Sequence, residues 1–204
     1  MKKILLILLV LILGIAGYFW YKFSHTGSRN KGPKQQPIAL LKHSAAFNTS
    51  VSNTMNAYFQ LSAAFVEADT VGVKKHAGNF VALLDSIPMN ELQKDSAVVL
   101  QTATDIFSSV RSNTESLLKQ TDLKEMRMDY RQVSEQLYSF LKAVNYEGDN
   151  IYWQYCPMAF GDDNGANWLS KEKQVTNPYL GRNHPEHGIT MLHCGETKDT
   201  IKTK

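Results

Sequence analysis

The 18 uncharged residues from Ile4 to Tyr21 divide this chain before any folding is considered. As a helix rising about 1.5 Å per residue they reach roughly 27 Å, close to the ~30 Å hydrocarbon thickness of a bilayer, so the run is expected to span one. Lys2 and Lys3 precede it and predict a cytoplasmic N-terminus, with everything after Lys22 exported. Tyr18, Phe19, Trp20 and Tyr21 make an interfacial aromatic belt, which favours a retained anchor over residues 1–23. A cleaved signal peptide is the alternative, with small residues at Gly14-Ile15-Ala16. No cysteine lies nearby, which excludes a bacterial lipid-anchor site.

The anchor alters the reading of the charge. The 204 residues carry a formal +3, which by itself invites a polyanionic partner. Lys2, Lys3 and Lys22 account for all of that excess, leaving 19 basic against 19 acidic residues in the exported part. Those basic residues are dispersed, so nucleic acid is not an expected partner. A composition 43% apolar and 10% aromatic is that of a chain with a packed core.

Residues 24–43 hold Gly27, Gly32, Pro33 and Pro37 among polar neighbours and read as a flexible linker. From 44 to 148 the apolar spacing is helical, and an up-down four-helix bundle is expected. The first stripe is Phe47, Val51, Met55, Tyr58, Phe59 and Phe65, ending near Ala68. The second begins at an Asp69 or Thr70 cap, runs Val73, Ala77, Phe80, Leu84, Ile87, and stops at Pro88. Asn90 with Gln93 resembles a capping box for a third helix, with Leu92, Ser96, Val99, Ala103, Ile106 and Val110 as its stripe. Asp122 with Glu125 opens the fourth, which Gly148 closes. No inward Glu-x-x-His pair of a di-metal bundle is present; Glu115, Glu125 and Glu135 fall mostly on polar faces, His76 reads as a boundary residue, and Met55, Met126 and Met128 read as filling.

The last quarter, 149–204, changes style to a small irregular or β tail. IYWQYCPMAF alternates like a strand, GDDNG and NPYLG are turns, ANWLS is a short extended piece, and GITMLHCGET returns as a strand. Both cysteines and three of six histidines (His184, His187, His193) sit here. Cys156 and Cys194 in an exported domain can form a disulfide, closing a loop of about 38 residues for roughly 4 kcal/mol. The same residues are also a soft donor set. Met158 stands two from Cys156, Met191 three from Cys194, and His193 lies in reserve, a combination suited to Cu(I) or Ag(I). Zinc, using both cysteines, His193 and one of His184 or His187, fits less well. In a regular strand Met191 and Cys194 face opposite ways, so a shared ion requires the chain to bend before Gly195. Disulfide and metal site stay open as alternatives.

Tyr155-Cys156-Pro157-Met158-Ala159, Gly165-Ala166-Asn167-Trp168-Leu169-Ser170, Asn177-Pro178-Tyr179-Leu180-Gly181 and Met191-Leu192-His193-Cys194-Gly195 together resemble a bacterial family of unknown function. That family occurs as exported proteins and fused to periplasmic adaptor subunits of copper/silver efflux pumps. YFQLSAAFVEAD from Tyr58 to Asp69 also resembles its first helix, and the similarity runs from about Phe47 to Ile201. The resemblance implies a helical bundle with a Cys-x-Met and Met-x-x-Cys tail in a copper-handling context, with Cys156, Met158, Met191 and Cys194 at the soft-metal positions. Between Gly181 and Met191 this chain has nine residues where the family usually has a couple, and these bring in His184 and His187.

The expected function is that of a single-pass inner-membrane protein whose periplasmic domain binds Cu(I) or Ag(I) as an accessory to efflux, with a pump adaptor or transporter as partner. The alternative is a non-catalytic interaction module stapled by Cys156 and Cys194. No enzyme is expected: neither Cys156 nor Ser170 has a recognisable His-Asp context, Asp162 and Asp163 read as turn solvation, and Trp153 and Trp168 as cover for the tail's core.

Overall fold

The structure is a computed structural model describing residues 14–15, 17–21, 42–184 and 186–202. It divides into two units, Met1–Ile38 and Ala39–Lys204. In the first, the described residues are helical, with Ile15, Tyr18, Phe19, Trp20 and Tyr21 exposed. Most of the expected anchor and nearly all of the expected linker lie outside the described residues. Among those described, no helix is long and apolar enough to cross a membrane.

The second unit is mainly helical and closes with a small antiparallel sheet. Helix α1 (Ala45–Val66) starts at Ser44, whose hydroxyl accepts from Phe47 N. The reciprocal bond of a capping box comes from far away in sequence: Ser44 N and Oγ donate to the two carboxylate oxygens of Glu91, at 2.5 and 2.6 Å. Ala68, at φ 55, ends the turn after α1 in the left-handed region. Asp69 then caps α2 (Thr70–Leu84), accepting from Val71 N and Gly72 N, and α2 buries Val73, Ala77, Phe80 and Leu84 in the expected 4-3-4 rhythm.

The start of the third helix differs from expectation. Asn90 and Gln93 belong to a separate 3-10 helix, Met89–Lys94, preceded by Pro88 and without a side-chain cap. Helix α3 (Ala97–Lys119) begins at Ser96, which is its cap and not part of its stripe. Burial of Leu92 holds the 3-10 turn to the core, and fully extended Ser96 (φ −169) offers Val99 N its hydroxyl. Helix α4 (Leu123–Ala143) opens at Asp122 as expected. It ends five residues before Gly148, because Asn145 takes the left-handed position (φ 51) and Tyr146 N donates to Leu141 O.

Contacts between helices run in opposite senses. Phe107 meets Phe140 and Gln120 donates to Asp129 across α3 and α4, while Asn48, at the start of α1, donates to Glu147 beyond the end of α4. Tyr58 stacks on Tyr130 at 5.5 Å and Phe65 lies 4.6 Å from it, joining α1 to α4.

Strands β1 (Ile151–Cys156), β2 (Ala166–Ser170) and β3 (Glu196–Ile201) form a sheet in the order β2-β1-β3, all antiparallel. GITMLHCGET is therefore not one strand. Ile189–Met191 is a 3-10 turn and pairing starts only at Glu196, since the intervening carbonyls of Leu192 and Cys194 are bonded to Asn177.

Edge strand β2 is sealed by tyrosines. Leu169 N donates to Tyr58 Oη at 3.1 Å, and Tyr179 Oη donates to Asn167 O at 2.5 Å. Ser134 Oγ donates to Tyr130 O, so it must accept the Tyr58 proton at 2.7 Å, while Tyr130 Oη donates to Tyr58 at 2.8 Å. Every proton in this buried set is used once. Burial pushes the Tyr58 phenol up to about 12 and raises Tyr130 and Tyr179 as well, so all three stay neutral. Farther along α4, Tyr138 stacks on Trp153 at 4.3 Å, and Tyr138 Oη and Lys142 Nζ donate to Asp199 Oδ2 at 2.5 and 2.9 Å.

Two outcomes follow from these contacts. Tyr58→Phe leaves the Leu169 N–H and the Tyr130 hydroxyl without an acceptor, and urea unfolding should show a loss of about 1–3 kcal/mol. The Tyr138 hydroxyl, then Lys142 and the Thr200 N–H, hold the Asp199 carboxyl down to about 2. Its stabilising effect is thus present above about pH 4 and lost as pH falls toward 2. The carboxylate is 40% exposed, so screening keeps the effect below about 1 kcal/mol. Asp199→Asn should flatten that part of the stability–pH curve, lowering stability at neutral pH by up to that amount and leaving it nearly unchanged near pH 2.

Candidate functional site

Cys156 ends the central strand and is fully buried; Cys194 lies in the loop entering β3 and is half-buried. Both are free, and their sulfurs stand 3.0 Å apart. That separation exceeds the S–S bond of about 2.05 Å. It falls short of the roughly 3.8 Å between two sulfurs held ~2.3 Å from a tetrahedral metal. An ion between them thus requires the more exposed Cys194 to move outward by less than an ångström. Burial, followed by the hydrogen bond and proximity to Cys156, pushes the Cys194 thiol up to about 11, so metal uptake at neutral pH must displace protons.

Three backbone devices bring Cys194 to Cys156. Met191 O accepts from Cys194 N at 3.0 Å, closing a turn that places Met191 and Cys194 at its two ends. This supplies the bend that a regular strand lacks. Asn177, fully buried, then grips the turn: its N–H donates to Leu192 O at 2.8 Å and its Nδ2 to Cys194 O at 2.9 Å, while its Oδ1 accepts from Tyr179 N and Leu180 N. Gly195, at φ 136, sits so close to β1 that a Cβ would lie 2.6 Å from Tyr155 O. In sequence Asn177 reads only as a turn residue. The Asn-Pro pair is the one sign of its role, because Asn side chains readily bond the backbone two or three residues on.

The other candidate donors are not gathered equally. Met191 is half-buried against the core. Met158 lies in the turn after β1, on the wall of a cavity that neither cysteine lines. His193 is exposed, with Nδ1 donating to Val175 O at 2.6 Å. His184 and His187 stack on each other at 4.8 Å and line the same cavity as Met158. Among the described residues no three His, Cys, Asp or Glu side chains converge to hold a metal ion, so the zinc set of two cysteines and histidines is not assembled. Of the candidate donors, the two thiols are the ones seen in contact with each other.

Residues 54–148 match the model of a family described as "Protein of unknown function (DUF3347)". The match covers the helices from within α1 to just past α4 and stops before β1, so the cysteine-bearing tail lies outside it. No curated protein and no solved structure matches the chain.

The geometry assigns Gly195 the task of letting the two thiols meet. Gly195→Ala should slow diamide-driven closure of a Cys156–Cys194 disulfide by about tenfold or more, as followed by mass, while far-ultraviolet circular dichroism stays that of the parent.

Proposed function

We propose that this chain is a membrane-tethered, periplasmic carrier of a soft monovalent metal, Cu(I) or Ag(I), acting as an accessory to heavy-metal efflux. The observation that carries the reading is the pair of free thiols 3.0 Å apart on an otherwise immobilised strand and turn. Thiolate and thioether donors without carboxylates favour a soft ion over a hard one. Cys156 and Cys194 serve as the strong ligands, and Met191, at the other end of the Cys194 turn, as the weak exchangeable one. Met158, two residues from Cys156, is the second thioether, available when the turn after β1 yields. The helices, read as an up-down four-helix bundle, act as a non-catalytic scaffold, and the segment over 1–23 as the inner-membrane anchor. A pump adaptor or transporter is the receiving partner.

A second reading rests on the same distance. Sulfurs closer than a metal bridge demands, and a Cys194 thiol held protonated, favour a redox-closed clamp that staples the tail as part of an interaction module.

Anaerobic titration of the full-length protein with Cu(I) against a chromogenic competitor separates the two. The carrier reading expects one copper per chain, with Cys156→Ser and Cys194→Ser each weakening binding by about a hundredfold or more and Met191→Leu by about tenfold. Protein that is isolated as a disulfide resistant to mild reductant, or that binds copper no better than its Cys156→Ser variant, supports the clamp and excludes the carrier.

A further inference from the structure

Arg127, on the second turn of α4, is only 6% exposed, yet no carboxylate among the described residues pairs with it. Its Nε donates to Pro178 O at 3.2 Å and its Nη2 to Phe65 O at 3.3 Å. Those carbonyls hold the guanidinium in place without neutralising it, and no partner for Nη1 is found among the described residues. Burial lowers its pKa to about 10, which leaves it charged at neutral pH. A buried, unneutralised arginine is costly unless something compensates it.

Arg127 lines a cavity of about 590 Å³. Met158, Phe160 and Leu180 give the cavity an apolar wall, and His184 and His187 stand on it as a stacked pair. His184 Nδ1 accepts from Glu186 N, so its proton sits on Nε2 and that nitrogen is a donor. Burial, then Arg127 and His187, lowers the His184 pKa and keeps the ring neutral. Of the acids on the lining, Asp122 is committed to capping Lys124 N and Glu125 N, while Asp162 and Glu186 are exposed. A cation here meets Arg127 and Lys124; an anion meets their charges and the neutral His184 donor.

We propose that this cavity binds a small organic anion whose carboxylate or phosphate group pairs with Arg127 and whose apolar body lies against Met158 and Phe160. Volume, apolar walls and a few convergent polar groups are the makings of a small-molecule site, and a guanidinium matches either oxyanion. Neither cysteine lines the cavity, so the proposal stands independently of metal binding at the thiol pair.

The test is calorimetric titration of the full-length protein with benzoate, phenyl phosphate and inorganic phosphate. At least one of the two aromatic anions should bind at one site per chain, about tenfold tighter than inorganic phosphate. Arg127→Met should weaken that binding by roughly thirtyfold or more, whereas Arg131→Met, one turn along and paired with Glu135, should leave it unchanged. Binding should also raise the His184 pKa in proton NMR titration, since an anion offsets the repulsion from Arg127. Should Arg127→Met fail to fold, Leu123→Trp, which fills the cavity from the half-exposed start of α4, decides the matter through loss of binding. Absence of saturable binding by any of the three probes, equal affinity for inorganic phosphate, or undiminished binding in the variant that folds overturns the proposal.

Discussion

The Tyr58 hydroxyl joins the parts of this molecule that the chain makes separately. It projects from α1, accepts the Tyr130 hydroxyl proton from α4 and the Leu169 N–H from β2, and passes its own proton to Ser134. A sheet of three short strands has little stability alone. Here its exposed edge is converted into a hydrogen-bonded seam with the helices, helped by the Tyr179 hydroxyl on Asn167 O. Because the whole set is buried and every proton is assigned, the seam admits one docking of β2, and that docking sets where β1 ends.

The position of Cys156 follows from that register. With β1 fixed between β2 and β3, its last residue pairs with Ala166, and the neighbouring Tyr155 pairs with Glu196. Asn177 and Gly195 then determine where Cys194 arrives, the first by bonding to the turn and the second by allowing it to lie against Tyr155 O. The reactive pair is therefore a product of sheet docking, and its geometry depends on residues with no sulfur chemistry of their own. Arg127 takes part in the same docking, since its guanidinium bonds to carbonyls at the end of α1 and in the Asn177 turn, and the residue also lines a cavity.

Local chemistry was legible where a short stretch of chain decides the outcome. Asp69 and Asp122 cap their helices as their positions suggest, and Val73, Ala77, Phe80 and Leu84 are buried as their spacing requires. The reading failed where two local signals competed. Asn90 and Gln93 looked like a start, but Ser96 supplied the cap; Gly148 looked like a stop, but Asn145 adopted the left-handed turn first. Gly188 to Thr197 looked like a strand by composition, but Leu192 and Cys194 gave their carbonyls to Asn177, and only Glu196 and Thr197 joined β3. At the site, the two thiols were identifiable as a pair, whereas the separation of Met158 and the histidines into another cavity was not.

What the sequence by itself determined is the set of four amphipathic helices with the Asp69 and Asp122 caps, the balance of charge beyond Lys22, and the confinement of both thiols to the tail, because these follow from periodicity and residue chemistry within a few turns of chain. Tertiary structure alone decided that Tyr58 meets Leu169 across 111 residues, that Cys156 and Cys194 lie 3.0 Å apart, and that Arg127 is buried with no carboxylate partner among the described residues. Each of these depends on which faces meet when the sheet docks on the helices, and long-range pairing of that kind leaves no spacing pattern in a single chain.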